Sequence, residues 1–289
     1  YQRTGVSAKK WGFDSDNAAT YWVNLTDNLR PLTLLNAGNI GIGTLSPTEK
    51  LEVAGTALVE NAKLKAIAES NTDTAVDVFV YDTRKDSDGG AWRKRTQGTS
   101  WYNETLNTSI RGARKEFPCV AVIVAETAKV TIYDGDDPDM PMWIVFGGGI
   151  MYGGAHSATF MLNGLMSVTC SSLYGGLRTV NFITDTSLSY RSIGSNNNTE
   201  GYWKYDIARR NTGQGYSGTS GGSDLPLLVD ESINDVAMTV LPNAPIDADT
   251  GLPVPTIAVA TDAGISIIKD TGSVVDLTST SGASYNVAY

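Results

Sequence analysis

Acidic residues spaced two positions apart are the groups of this sequence best suited to hold a cation. They occur in four places: Asp14 and Asp16; Asp86 and Asp88; Asp134, Asp136, Asp137 and Asp139; and Asp247 and Asp249. Several carboxylates on one short loop can coordinate Ca²⁺, so the third place, "DGDDPD", is a candidate calcium site. Aspartate is equally typical of turns, where it accepts hydrogen bonds from nearby backbone amides, and none of the four places continues into an EF-hand. The sequence favours turns, with Ca²⁺ at the third place as the alternative, and predicts no other cofactor.

Groups for nucleophilic catalysis are few. The segment "GTSGG" has the G-x-S-x-G spacing of a hydrolase around Ser220, and His156 is the one histidine of the chain. A hydrolase elbow needs a strand before the serine and a helix after it, whereas here a Gly/Ser-rich tract precedes the serine and "SDLPLL" follows. We interpret His156 as a surface or packed residue, and Cys119 and Cys170 as unpaired thiols without metal spacing. The sequence predicts no catalytic residue and a protein that is not an enzyme.

Aromatic residues cluster in the segment "EGYWKYD". Tyr202, Trp203 and Tyr205 are the candidate contacts for a glycan, because exposed aromatic rings offer an apolar face beside a polar group. A buried strand is the other interpretation of the same pattern.

The net charge of −9 is unevenly distributed along the chain. Residues 1–118 hold 15 Lys and Arg against 14 Asp and Glu, whereas residues 119–289 hold 7 against 17. Nucleic-acid binding depends largely on Lys and Arg, so the acidic part excludes DNA and RNA as ligands there. Eight basic residues between Arg84 and Lys115 lie among aromatic residues, which is a pattern that can bind single-stranded nucleic acid or sugar acids. We favour a solvated face or an interface to the acidic part of the same chain.

The elements that must position these groups are mostly β-strands. Apolar and polar residues alternate in "TLLNAGNIGIG", "VDVFVYD", "KVTIYD", "RTVNFITD" and "ISIIKD", and turn residues bound each segment. One segment, Asn61–Ser70, favours a short helix, and the Gly/Ser-rich residues 211–224 predict an exposed loop. The longest apolar run, Met142–Tyr152, has about half the roughly 20 residues that a membrane span needs, so no membrane insertion is expected. No basic stretch leads into an apolar one after Tyr1, which predicts a processed or partial chain without a signal peptide.

A weak repeat follows in the acidic part. Three segments that start at Val124, Ser171 and Val259 each combine a small residue, a tight turn and an alternating apolar strand. Along the chain, the second segment follows the first after one period, and the third follows the second after two periods, of a length in the mid-forties. Such a period is typical of a four-stranded propeller blade. Because one such sheet cannot bury both of its faces, the repeats predict either a propeller or sheets stacked as a sandwich.

Glycines at alternate positions mark the segment "NIGIGTLSPTEKLEV" near the N-terminus. Gly41 and Gly43 leave one face of a strand without side chains, so another backbone can approach closely there. We expect this backbone to come from a neighbouring copy of the chain. The sequence therefore predicts an assembly site formed by Ile40, Gly41, Ile42 and Gly43.

This segment closely resembles the "NxGIGT, Ser-Pro, KLxV" element of bacteriophage tail fibres, in which three chains intertwine. The stretch from Val80 through "RKDSDGGAWRKRTQGTSWYNETLN" to "MWIVF" resembles structural proteins of marine and freshwater tailed phages. The resemblance covers most of the chain up to about residue 280. It implies a virion protein that is assembled in the cytoplasm of a bacterial host.

We therefore expect an all-β protein in which a fibre-like N-terminal β region is followed by propeller-like or sandwich-like antiparallel sheets. Three regions are predicted: residues 1–60 for oligomerisation, 61–118 as a basic and aromatic connecting region, and 119–289 as the acidic β-rich domain. The expected function is a tail fibre or fibre-like subunit that mediates assembly and host attachment. Its expected partners are further copies in a homotrimer, other virion proteins, and a host-surface glycan or protein. A capsid or tail scaffold component without receptor role and a glycan-cleaving tailspike remain the alternatives.

Overall fold

The protein is represented by a computed structural model. It describes residues 11–16, 18–24, 29–48, 50–53, 75–151, 155–171, 176–191, 201–213, 215–217 and 227–278. The chain divides into two compact units, residues 1–61 and residues 62–289. Within the described ranges, none of the helices has the length and apolarity needed to cross a bilayer.

The N-terminal unit contains one sheet of five strands. They are β1 (Trp11–Ser15), β2 (Ala19–Asn24), β3 (Leu29–Leu35), β4 (Ile40–Ile42) and β5 (Leu51–Val53). The strands lie side by side in chain order, antiparallel except that β4 and β5 are parallel. Aromatic and β-branched residues dominate β2 and β4, which suits the pleated surface of a sheet. Turns at Asp16–Ala19 and Leu35–Asn39 join the antiparallel strands, and both are closed by backbone hydrogen bonds.

The second unit contains three sheets, each built as a meander of antiparallel strands in chain order. The first comprises β6 (Ala75–Asp82), β7 (Val120–Glu126), β8 (Val130–Asp134) and β9 (Met142–Phe146). The second comprises β10 (Ala155–Leu162), β11 (Leu165–Ser171), β12 (Gly176–Asn181), β13 (Thr186–Tyr190), β14 (Gly201–Trp203) and β15 (Tyr216–Ser217). The third comprises β16 (Ile233–Thr239), β17 (Thr256–Thr261), β18 (Gly264–Ile268) and β19 (Val274–Thr278).

The second sheet is the middle layer of this unit. Met166 and Val180 on one of its faces belong to the main apolar core, which they share with the first sheet. Leu177 and Tyr190 on the other face pack in a separate core with Ile257 of the third sheet. Strand β10 lies against both β6 and β16, although it forms no backbone ladder with either strand. The three sheets are therefore packed face to face, as in a sandwich with a third layer.

The segment between β6 and β7 belongs to the main core of the second unit. It contains three short 3₁₀ helices, at Thr83–Lys85, Ala91–Arg95 and Trp101–Asn103. Trp92 and Trp101 have no exposed surface and pack with Phe117 and Trp143. The described part of the expected connecting region, residues 75–118, is thus an integral part of this unit, because its aromatic side chains fill the core and do not face a ligand.

The all-β fold expected from the sequence is confirmed, and of the two expected arrangements of the acidic part the sheets take the sandwich-like one. Within the described residues no α-helix occurs. The expected helix at Asn61–Ser70 and most of the expected loop at 211–224 lie outside the described residues. Two of the three repeat segments form the same hairpin, in which Ala125 pairs with Val130 and Ala260 pairs with Ile265.

Candidate functional site

One face of the N-terminal sheet is apolar and open to solvent. Cross-strand pairing places its side chains in two adjacent rows. We call this surface the open face; its members are Phe13, Trp22, Leu32, Leu34, Ile40 and Ile42. Phe13 is 79% exposed, and Trp22 and Ile42 are each 45% exposed. Phe13 therefore lies mostly in water, and Trp22, Leu34, Ile40 and Ile42 keep 38–45% of their surface exposed.

The open face is as large as the largest apolar patch that a typical monomer exposes. Its exposed side chains together present roughly 500 Å² of apolar area, when aromatic residues are counted at about 200 Å² each. The largest apolar patch of a typical monomer covers roughly 300–600 Å² and often has a function. The side chains described on this face include no charged group. Such a surface is typical of a contact with another protein.

The opposite face of the same sheet is already covered. Ala19, Tyr21 and Val23 pack there as a small core, and Thr33 beside them has no exposed surface. The hydroxyl of Tyr21 donates a hydrogen bond to Asp16 Oδ2 over 3.1 Å. Only one of the two faces of this sheet is therefore left for an external partner.

The glycine-rich motif folds back on itself instead of leaving room for another chain. A Cβ atom added at Gly41 would lie 2.6 Å from the carbonyl oxygen of Thr44 and 3.2 Å from Pro47 Cγ. Gly43 has a φ of +74°, and the side-chain amide of Asn39 donates a hydrogen bond to the carbonyl of Pro47 over 3.1 Å. The close approach expected at the glycines is thus made by the turn of the same chain.

The four residues of the predicted assembly site divide between the two sides of the sheet. Ile40 and Ile42 belong to the open face, where they are 38% and 45% exposed. Gly41 pairs with Thr33 on the covered face, and Gly43 lies in the turn after β4. The sequence reasoning missed Phe13, Trp22 and Leu34; the alternation within β1, β2 and β3 is the signal that could have found them.

Of the three predicted glycan contacts in the aromatic segment, Trp203 lies in the core. Trp203 is 4% exposed and belongs to the main core. Tyr205 is half-buried, and its ring lies edge-on to Trp203 and 4.0 Å from the guanidinium of Arg209. The side chain of Tyr202 lies outside the described set. Trp203 therefore lies in a buried strand, which was the other interpretation of the sequence, and presents no open ring face to a sugar.

The acidic loop after β8 binds a side-chain cation of the same chain. Arg114 Nη1 donates hydrogen bonds to Asp134 and to Asp136 Oδ2, at 3.0 Å and 2.7 Å. Asp136 also accepts the backbone amides of Cys119 and Val120. These bonds to Arg114 and the two amides lower the pKa of Asp136, although partial burial acts in the opposite direction.

The remaining acidic residues of this loop are exposed. Asp137 accepts the backbone amide of Asp139 in a turn, which is the interpretation favoured by the sequence. No group of three or more His, Cys, Asp or Glu suited to a metal is found among the described residues. With Arg114 between Asp134 and Asp136, this loop offers poor ligands to Ca²⁺.

Asp86, from another of the acidic pairs, is buried in a network between β6 and the β10–β11 hairpin. Its carboxylate accepts hydrogen bonds from Trp92 Nε1 at 2.7 Å, from the amide of Asn163 at 2.9 Å, and from the hydroxyl of Tyr81. Burial raises the pKa of Asp86 despite these bonds. The network is structural, because every donor in it belongs to a core element.

A second buried network joins two arginines through one carboxylate. Arg210 Nη1 donates to Glu104 Oε1 at 2.6 Å, and Arg111 Nε lies 3.5 Å from the other oxygen. Both guanidinium groups are fully buried, and that of Arg111 stacks 4.5 Å from the ring of Trp143. Burial lowers the pKa of Arg111 to about 10 and raises the pKa of Glu104. This network accounts for part of the basic cluster, which turns inward to stabilise the core.

His156 and Cys170 are neighbours in the middle sheet. His156 Nδ1 lies 3.3 Å from both the Cys170 sulfur and the carbonyl oxygen of Thr169, and among the described atoms Nε2 has no partner. Burial lowers the pKa of His156 to about 4 and raises the pKa of Cys170. A neutral imidazole beside a neutral thiol does not form the ion pair that activates a cysteine nucleophile. His156 is therefore a packed residue, and Ser220 lies outside the described residues.

Comparison with known proteins adds no relative. No protein-family model matches the chain, and no curated protein matches it significantly.

Proposed function

We propose that this chain is a non-enzymatic structural subunit of a virion, of the tail-fibre type, and that its N-terminal unit joins copies of the chain into a homo-oligomer. The second unit is displayed outward and contacts the host surface. The resemblance of the motif around Gly41 to tail fibres supports a trimer as the assembled state. Repetition of weak contacts on one particle then gives lasting attachment.

The open face is the observation that supports this proposal most directly. Domains are built from packed layers, and the described side chains of this sheet are buried on one side only. If the open face of every copy is covered by neighbouring copies, about 500 Å² per copy leaves water, so an assembly of two or more copies buries at least about 1,000 Å², which is the lower limit of a specific protein interface. The face also fits a second copy electrostatically. The described side chains of the open face are uncharged, so contact between copies through this face brings no like charges together.

The test is the mass of the protein in solution, measured by light scattering after gel filtration. We expect a multiple of 30.8 kDa, with three copies as the expected number. Ile42→Lys places a charge on the open face and should shift the mass towards one copy. Leu241→Lys is the matched control, because Leu241 is exposed to a similar extent, 47%, but lies in the second unit.

A mass of one copy for the unsubstituted chain would refute the assembly role. So would an Ile42→Lys protein that keeps the oligomeric mass. Release of reducing ends from a host polysaccharide would instead identify a glycan-cleaving tailspike, in which two carboxylates must flank the sugar.

A further inference from the structure

A cleft lies between the middle and third sheets of the second unit, at the end where they separate. Strand β16 lies against β10 and β11, whereas the cleft lies over β12 and β13. Its volume is about 340 Å³. The third sheet contributes the turn from Lys269 to Gly272, and the loop around Asp247 closes one side. Small-ligand pockets have volumes of roughly 300–1,000 Å³, so the cleft can take a ligand of one or two rings.

The floor of the cleft is the rigid part of the second core. Leu188, Ile257 and Ile268 line it, and all three belong to or pack against that core. The loop beside it is closed by a bridge between Ile246 and Pro253 and by the bond from the amide of Asp247 to the carbonyl of Leu252. The cleft is therefore formed before any ligand arrives, which lowers the entropic cost of binding.

Four polar side chains of the cleft retain free hydrogen-bonding capacity. Asp247 Oδ1 accepts the amides of Asp249 and Thr250, which leaves Oδ2 without a partner among the described residues. Asn181 Oδ1 likewise accepts two backbone amides, and its Nδ2 donors remain free in the described part of the chain. Lys269 and Asp270 form no ion pair with any described residue.

We propose that this cleft binds an uncharged carbohydrate. Sugars present hydroxyl groups, which donate and accept hydrogen bonds, at the rim of a ring whose C–H face is apolar. The cleft has the matching arrangement, with acceptors at Asp247 and Asp270, donors at Asn181 and Lys269, and an apolar floor. Two carboxylates against one ammonium group disfavour anionic ligands such as sugar acids, sulfated glycans and nucleotides.

A smaller hollow of about 80 Å³ continues the cleft along the same loop. It shares Asn181 and Asp247 with the cleft and extends to Asn163 and Thr250. The hollow is large enough for a small substituent of a ligand that is seated in the cleft.

The site rests on the proposed function, since it would supply the host contact of the attachment subunit. The full chain, fluorescently labelled, is applied to an array of neutral, amino, uronic and sulfated glycans at constant ionic strength. We expect binding to at least one neutral glycan, with weaker or no signal for its uronic or sulfated counterpart. The affinity for the bound glycan is then measured by isothermal titration.

Two variants locate the site. Asp247→Asn keeps Oδ1 and hence the turn but replaces the free acceptor with a donor. Asp270→Asn replaces a carboxylate oxygen with a donor across the cleft. Each should weaken binding of the identified glycan at least tenfold. Asp249→Asn is the matched control, because it removes a charge from the same loop at an exposed residue that does not line the cleft, and it should leave the affinity unchanged.

An array without any neutral-glycan signal would overturn the proposal, and so would a bound glycan whose affinity is unaffected by both cleft variants. Preferential binding of anionic glycans would also contradict it, since the charge balance predicts the reverse. The oligomeric mass of the same samples separates this result from the assembly role: an oligomer without glycan binding would refute the cleft alone.

Discussion

Acidification should destabilise the second unit through its one histidine. Burial lowers the pKa of His156 from its usual value of 6.5 to about 4, so the unfolded chain takes up this proton at a higher pH than the folded chain does. The stability that the neutral imidazole contributes is therefore fully present above pH 6.5 and is lost as the pH falls towards 4. The difference of about 2.5 pH units corresponds to about 3 kcal/mol, with a slope of about 1.4 kcal/mol per unit inside that window.

The assay is urea unfolding followed by tryptophan fluorescence, at several pH values between 7 and 4, for the native chain and for His156→Gln. The variant keeps a neutral polar side chain that does not titrate. Asp86 and Glu104 act in the opposite direction, because burial raises their pKa values and the folded state binds their protons more readily. Both carboxylates are present in both proteins, so the difference between the two pH curves isolates His156.

Parallel pH curves for the two proteins would refute the argument, because they would mean that His156 has the same pKa in the folded and unfolded states. An independent check needs no unfolding. Since the chain has one histidine, its Cε1 proton gives a single NMR signal, and titration of that signal near pH 6.5 in the folded protein would contradict the burial.

Three further predictions concern the turn, the buried ion network and the acidic loop. Gly41→Val should destabilise the N-terminal unit by about 1–3 kcal/mol, because its Cβ would collide with the turn of the same chain, whereas Gly98→Ala, at a glycine with open space around it, should leave thermal unfolding unchanged. Retention of the native melting temperature in Gly41→Val would show that the turn does not pack on this glycine. Glu104→Gln should cost about 3–5 kcal/mol in urea unfolding, because it leaves two buried guanidinium groups without their counter-charge, and a loss below about 1 kcal/mol would contradict that role. Addition of millimolar Ca²⁺ should not raise the melting temperature, since Arg114 holds the acidic loop; a rise that disappears in Asp136→Asn would mean that the loop binds the cation after all.

The sequence predicted the fold class because the alternation of apolar residues survives in the strands. The repeat was readable for the same reason: Ala125 and Val130 are neighbours across a hairpin, and so are Ala260 and Ile265, since both hairpins join the second and third strands of a four-stranded meander. What the spacing could not show is how the meanders stack. A period in the forties is common to blades of a ring and to layers of a sandwich, and the choice depends on which faces are apolar in three dimensions.

The candidate sites were harder to predict, because the decisive contacts join residues distant in sequence. Gly41 was correctly expected to allow a close approach, but nothing in its surroundings told which chain would make that approach. Trp203 was ambiguous for the same reason, as an aromatic residue in a strand can face the core or the solvent. The cleft over β12 and β13 has no local signature at all, since Asn181, Asp247 and Asp270 meet only after three separate elements have packed.

The way strand β10 contacts its neighbours has a consequence for how such chains can change. Since β6 and β16 rest on β10 through side chains and share no ladder with it, every meander closes its own backbone hydrogen bonds. A whole meander could therefore be gained, lost or exchanged between related genes without interrupting the hydrogen bonds of another sheet. The added meander would need an apolar face whose shape fits the neighbouring sheet. Such a change would add or remove a complete layer of the second unit and would leave the sheet of the N-terminal unit unchanged.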